Sequence, residues 1–443
     1  MGCTIDTPFV RDSQAVCQRC FLEDVTKRPA ANPAPTGLPF VTYILAIGTF
    51  LMGTTEFIIA GLLPEIAHDL DVSEARAGTL ITIFAVGMIV GTPGMAILTL
   101  RLPRRTTLVL ALGVFAVGHV IVALGSGFAL LLTARFLTAL ATGAFWAVAA
   151  VVASRAAGPT ASSRALGVVL GGGMLANVIG VPLGAFGGQL IGWRGPFWVL
   201  AGLAAAAAVL ITRFVPHDDP KDARPSVRSE FASLRSRQLW LTLISAAMIM
   251  GGTLATYSYI APLLSNRAGL PANLVPLALV GFGVGALIGS FLGGRLGDTR
   301  PYTATLTAAA ATAAILLAVC LLSNQTLPTV ILVALLGLTS MTVNPILISL
   351  AVRFAHRAPT LASALSTSAF NLGTAVGSWI AGHSLESPLR ELGPPLVGTV
   401  IATLTLAPLA ALALAHRRRA SSTTALAVAH EEVERGGVPV GMR

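Results

Sequence analysis

The chain has 443 residues, 54% hydrophobic and only 11% charged, with a formal net charge of +10 and a mean hydropathy of +0.80. Average soluble domains carry about 25% charged residues, so this composition excludes a soluble globular protein and points to a polytopic helical membrane protein. The positive charge is no nucleic-acid footprint, because the Arg residues fall in short gaps between apolar runs, where they set membrane orientation.

Residues 1–38 are polar and end Pro-rich, with Pro29, Pro33, Pro35 and then Pro39. They lack the apolar core of a signal peptide and predict a disordered cytoplasmic tail, or a start codon placed too far upstream. Cys17 and Cys20 form a lone CxxC there, with Cys3 upstream. A structural zinc site needs four ligands at paired spacing, so no metal and no cofactor are expected. Cys320 lies in an apolar run and reads as a small packing residue.

Apolar runs of about 20 residues, each long enough to span as a helix, then follow one another. The predicted spans are 40–63, 77–98, 106–126, 128–152, 165–191 and 195–215, then 239–263, 272–294, 303–323, 328–351, 361–384 and 394–415. The predicted fold is all-α and membrane-embedded: twelve transmembrane helices in two pseudo-symmetric six-helix bundles, over 39–215 and 239–415. A polar cytoplasmic linker, 216–238, joins the bundles, and 416–443 forms a second cytoplasmic tail. Alternate loops are basic, with Arg101, Arg104 and Arg105, then Arg155 and Arg164, the linker, Arg295 and Arg300, Arg353 and Arg357, and Arg417, Arg418 and Arg419. The other loops are acidic or nearly uncharged. The positive-inside rule puts both termini in the cytoplasm.

The halves repeat. Residues 55–63 read TEFIIAGLL and 256–264 read TYSYIAPLL; NVIG at 177–180 has a weaker echo in NLG at 371–373. Parallel repeats of this kind place a site near the midplane between two rocking bundles. In that alignment Glu56 faces Tyr257.

Few ionisable groups fall inside the spans. Glu56 lies roughly 11 Å from one end of the first helix, Arg135 roughly 10 Å from the same side in the fourth, and His119 at similar depth in the third, at 1.5 Å per residue. A charged group in hydrocarbon costs at least ~2.5 kcal/mol, so such residues are rare and face a polar interior. A carboxylate that burial favours neutral and an Arg favours charged can be switched by a structural change, as proton antiport requires. The alternative is a structural ion pair. Glu56, Arg135 and His119 are the proton-coupling candidates.

The fifth span is rich in helix breakers: GGG at 171–173, Gly180, Pro182 and Gly184, then Gly187 and Gly188. Small residues allow close helix approach, and Pro182 removes a backbone hydrogen bond and bends the helix. The loop after the eighth span reads GRLGDTR over Gly294–Arg300, where Asp298 is placed to cap a nearby helix N-terminus and latch one state. Its counterpart after the second span has Leu100 at the Asp position and Pro103 at a Gly position, although Arg104 and Arg105 remain. Those two Arg read more simply as topology signals. Candidate cavity residues are aromatic or amide-bearing: Phe145, Trp146, Asn177, Tyr257, Tyr259, Asn344 and Asn371. A mostly apolar pocket with a few polar groups suits an amphiphilic small molecule.

This pattern resembles the major facilitator superfamily, in particular its twelve-helix drug:proton antiporters, over roughly residues 39–415. That resemblance assigns the family's first-helix acid to Glu56, its fourth-helix Arg to Arg135, its Gly/Pro-rich fifth helix to Gly180–Gly184 and its GxLxDR loop to Gly294–Arg300. The fifth-helix motif matches in part, as GVPLG, and the first-half loop lacks its acid. The strings TEFIIAGLLPEIA, FAVGMIVGTP, GVPLGAFGGQLIGWRGPFW, GGRLGDTRP and RAPTLASALSTSAFNLG are similar to those of actinobacterial chloramphenicol exporters. The resemblance implies a monomeric inner-membrane pump that exchanges protons for chloramphenicol or a like amphiphile. An exporter of sugars or purine nucleosides is the alternative. No nucleophile–base cluster and no phosphate loop GxxxxGK[ST] occurs, so neither an enzyme nor an ATP-driven pump is expected.

Overall fold

The computed structural model describes residues 38–98, 102–158, 161–215, 236–355 and 359–435. The expected tail, Cys3, Cys17 and Cys20, Leu100, and nearly all of the linker lie outside the described residues. The first half holds α1 (Phe40–Asp69), α2 (Glu74–Leu98), α3 (Arg104–Leu124), α4 (Phe128–Ala157), α5 and α6 (Gly195–Phe214). The second holds α7, α8 (Val275–Thr299), α9 (Pro301–Leu322), α10 (Thr326–Phe354), α11 (Pro359–Leu385) and α12 (Gly393–Arg435). Helix α5 comprises Ser162–Leu175, a π-helical turn Ala176–Gly180, and Val181–Ile191. Helix α7 runs as Arg237–Tyr257, a short Ile260–Pro262 and a π-helical turn Leu263–Arg267.

Among the described residues, eleven helices are long and apolar enough to cross a membrane. The twelfth, α11, has 27 residues, about 40 Å at 1.5 Å per residue, but its many Ser and Thr lower its hydropathy. One expectation needs correction. The span expected over 239–263 is not one continuous helix, since α7 breaks at Ser258–Tyr259, four residues before Pro262, whose missing N–H leaves the Ser258 carbonyl unpaired within the helix. Helix α12 continues beyond the expected span 394–415 to Arg435, while its membrane-length apolar part ends at His416.

The halves are built alike. In each, the first helix packs on the fifth, the second on the fourth and the third on the sixth: α1 on α5, α2 on α4 and α3 on α6, matched by α7 on α11, α8 on α10 and α9 on α12. Lipid is as apolar as Leu, so close backbone approach, not hydrophobic burial, drives such pairing. Glycines provide it. A Cβ on Gly180 would strike Thr54, one on Gly184 would strike Ile58, and one on Gly188 would strike Leu62. The three glycines thus form a stripe along α5 that receives successive turns of α1. Gly285, Gly289 and Gly293 of α8 meet Ala334, Leu338 and Thr342 of α10 in the same way.

Across the halves, α2 meets α11 and α5 meets α8. The π-turn of α5 lies at the second contact. Val181 N–H bonds to the Ala176 carbonyl, five residues back, just before Pro182, which has no N–H to give. This widened turn brings the Val178 backbone against Gly283 of α8, where a Cβ would lie 2.6 Å from Val178 Cα.

Replacing Gly184 with Val overfills the α1–α5 seam and is expected to cost about 1–3 kcal/mol. The thermal unfolding midpoint of the purified protein should fall accordingly. Gly167→Ala, at a position with nothing within 4 Å, serves as the control and should leave the midpoint unchanged or slightly raised, given the helix preference for Ala.

Candidate functional site

Helix α1 turns its exposed Tyr43 and Ile47 outward. Glu56 lies nine residues beyond Ile47, so at about 100° per residue it points to the opposite side, into the protein. It is half-buried in a stretch whose neighbours Thr54, Thr55 and Ile58 are fully enclosed. Arg135 approaches from α4 and is only 1% exposed. Its Nη1 donates to the Thr55 carbonyl at 2.9 Å and to Thr55 Oγ1 at 3.0 Å, and its Nε to the Leu80 carbonyl of α2 at 3.4 Å. Its guanidinium lies over the Phe84 ring at 4.2 Å, a cation–π contact strengthened by burial. Nη2 has no hydrogen-bond partner.

His119 of α3, 1% exposed, completes the cluster. Its Nε2 is 2.8 Å from Thr55 Oγ1 and its Nδ1 2.7 Å from the Phe115 carbonyl. The ring stacks on Phe115 at 4.0 Å and tilts against Phe197 of α6 at 5.8 Å. The three expected groups therefore converge, but not as an ion pair. Arg135 spends its Nη1 hydrogen bonds on Thr55, the residue that precedes Glu56. Thr55 had no signal of its own in the sequence.

Tyr257, expected opposite Glu56 from the repeat, lies against the next residue along: its ring meets Phe57 edge-on at 6.2 Å and stacks on Phe282 of α8 at 4.1 Å. Its hydroxyl is buried and has no partner. Phe57 and Phe282 were not singled out by the sequence, since an aromatic in an apolar run carries no mark of which way it faces.

The remaining cavity candidates divide. Phe145 is wholly buried over Gly48, and Trp146 lies against Gly173, so both pack within the first half. The Asn371 amide bonds back to the Thr367 carbonyl at 3.0 Å. Asn177 is half-buried in the π-turn. Asn344 keeps a buried Oδ1 without a partner. Tyr259 donates to the Ser378 carbonyl at 3.2 Å and lies against Gly78 and Gly382, bridging the halves.

Of the gating candidates, Gly180 and Gly184 seat α1 on α5, and Pro182 follows the π-turn. Gly294 faces open space. Asp298 and Arg300 are exposed, and the N-terminus of α9 has no side-chain cap. In the first half Arg105 donates to the Thr212 carbonyl near the end of α6, stapling two helices of one bundle, and Arg104 is half-buried beside it.

The hydrogen bonds that join the halves among the described residues favour the end opposite the termini. Ser73 donates to Glu386 at 3.0 Å, Gln189 to the Ala272 carbonyl at 2.7 Å, and Thr82 and Ser378 share a bond of 2.9 Å. Ser368 to the Ile89 carbonyl, at 3.2 Å, is the nearest to the terminal side.

The sequence matches the Major Facilitator Superfamily over residues 45–378. This chain belongs to that family. It is 34% identical over 360 residues to the chloramphenicol resistance protein of Streptomyces lividans, covering 81% of this chain and 92% of that protein. It is 35% identical over 362 residues to the inner membrane transport protein YdhP of Escherichia coli K12, covering 82% and 93%. In structure it is similar to a bacterial homologue of the human lysosomal transporter Spinster, in its inward-facing, occupied conformation. The TM-score is 0.69 at 17% identity, covering 88% of this chain and 98% of the other. The protein is thus a multi-pass membrane transporter of the major facilitator superfamily, not an enzyme.

The short α2–α11 contact can be trapped. With the other cysteines replaced by Ser, Thr82→Cys with Ser378→Cys is expected to form an intramolecular disulfide on mild oxidation and stop transport until reduced. Thr82→Cys with Leu335→Cys, on a helix that shares no such bond, should stay reduced on the same gel-shift assay.

Proposed function

We propose that this transporter is a proton-coupled efflux pump of the bacterial inner membrane, exporting chloramphenicol or a similar amphiphilic small molecule by alternating access. The observation that carries this reading is the placement of Glu56. Its side chain lies on α1 within the membrane depth, faces away from the lipid side, and sits beside a buried Arg whose Nη2 is uncommitted. An intramembrane acid in such a position is a functional group by default. Glu56 takes a proton when open to the outside and gives it up when open to the cytoplasm, with Arg135 favouring release by its charge.

The orientation of the cycle follows from the positive-inside rule. Both termini and the Arg-bearing loops are then cytoplasmic, so the cross-half bonds at the far end hold an inward-open state. The likeness in sequence to a chloramphenicol resistance protein supports the substrate class. So does the aromatic surround of Phe57, Tyr257 and Phe282, whose single unpartnered hydroxyl suits an uncharged molecule with a ring and hydroxyl groups.

Glu56→Gln is expected to abolish drug-driven proton exchange in everted vesicles while the protein remains folded and monodisperse. Exchange at the wild-type rate would remove the proton role. Growth on chloramphenicol in a pump-deficient host should depend on the gene and be lost with an uncoupler. Resistance or transport confined to sugars or purine nucleosides in the same panel would replace the drug as substrate.

A further inference from the structure

The hydrogens around Thr55 follow a single direction. The Phe115 carbonyl only accepts, so His119 Nδ1 carries a hydrogen and donates it. In the neutral ring Nε2 is then an acceptor, and it takes the Thr55 hydroxyl hydrogen. Thr55 Oγ1 in turn accepts from Arg135 Nη1, which also donates to the Thr55 carbonyl. This assignment comes from the network as a whole. A doubly protonated His119 would place a second buried cation near Arg135 and deprive the Thr55 hydroxyl of its acceptor.

We infer that Thr55 and a permanently neutral His119 are positioning residues that hold Arg135 back from Glu56, and so set the pH at which Glu56 exchanges its proton. This rests on the reading of Glu56 as the proton site. Each bond that Thr55 takes from the guanidinium is one withheld from the adjacent carboxylate. Nη2 remains the uncommitted donor, ready to turn to Glu56 when α1 and α4 shift. His119 is enclosed by Phe115 and Phe197, with no exposed edge through which to pass a proton, so its part is that of a fixed acceptor.

Among the described residues, no other ionisable side chain bonds to Arg135. Glu56 on α1 and His119 on α3 are the titratable groups that face Arg135. Helix α2 presents the Leu80 carbonyl and the Phe84 ring, and it carries no ionisable side chain between Arg76 and Leu98. The same holds for α5 beyond Arg164 and for α6 before Arg213.

The test needs no knowledge of the substrate. In the full chain reconstituted in liposomes, the infrared C=O band of protonated Glu56, identified by its loss in Glu56→Gln, is titrated against pH. Thr55→Val keeps the shape and the carbonyl but removes the hydroxyl, freeing Arg135 toward the carboxylate. The band's midpoint is expected to fall by about one pH unit, the low end of what a nearby opposite charge does. Thr55→Ser should restore the wild-type midpoint. His119→Gln, whose amide can accept from Thr55 and donate to Phe115, should also keep it. Should Thr55→Val fail to fold, Thr55→Cys, of similar volume and weaker as an acceptor, is expected to shift in the same direction.

A Thr55→Val midpoint equal to wild type, an equal shift in Thr55→Ser, or a titration step that disappears in His119→Gln would each overturn the inference. The absence of any titrating band lost in Glu56→Gln would instead bring down the proton-site reading itself.

Discussion

A guanidinium enclosed among helices must find its acceptors inside the protein, because hydrocarbon offers none. Arg135 finds them on α1 and α2, in the Thr55 carbonyl and hydroxyl and the Leu80 carbonyl, with the Phe84 ring beneath its face. One side chain thereby ties α4 to two neighbours at mid-depth. It also delivers a positive charge next to Glu56 without pairing with it. A direct ion pair would be satisfied and inert. The separated arrangement leaves both groups able to respond when helices move, at the cost of one unpartnered donor. The first half therefore carries the charge chemistry, while the matching place in α7 carries Tyr257, a neutral hydroxyl in an aromatic setting.

That arrangement requires helices to sit close and stay in register. The stripe Gly180, Gly184 and Gly188 lets successive turns of α1 sink into α5, which fixes the rotation of α1 and so the direction Glu56 faces. The same helix α5 is also the one that touches the opposite half, through a turn widened ahead of Pro182. The helix that sets the direction of Glu56 is thus in backbone contact with the opposite half. Both contacts of α5, with Gly283 on one side and α1 on the other, are too tight to admit a Cβ. At the end opposite the termini, Tyr259, Ser378 and Thr82 join the halves by hydroxyl groups. Such bonds join the halves without committing a buried charge.

The fold was legible because lipid imposes one rule on every span: an apolar run long enough to satisfy its own backbone. Run lengths, Arg spacing and the TEFIIAGLL/TYSYIAPLL repeat suffice for helix number, bundle order and the mid-depth position of Glu56, Arg135 and His119. The same rule misled where a helix departs from it. The α7 break at Ser258–Tyr259 falls inside the span expected over 239–263, because run length averages over the polar step at 256–259 and the Pro262 that follows. Helix α11 matches its expected span 361–384 in spite of its hydroxyl groups, which bond to their own helix backbone or to α2, as Ser366 and Ser368 do. The loop motif at Asp298 named a latch, but whether it is engaged depends on the conformational state and not on the residues.

Run lengths, Arg spacing and the internal repeat by themselves determined a two-bundle helical membrane protein with Glu56, Arg135 and His119 at a common level. What only the tertiary structure decided is which groups touch. Arg135 chose the Thr55 backbone over the Glu56 carboxylate, His119 became the end of a hydrogen-bond chain, and Phe145 and Trp146 turned into the bundle. Hydropathy reports how deep a residue lies, since depth follows from position along a span. It does not report the rotation of each helix, which is fixed by glycine-to-side-chain contacts between segments distant in the chain, and a hydrogen bond depends on that rotation.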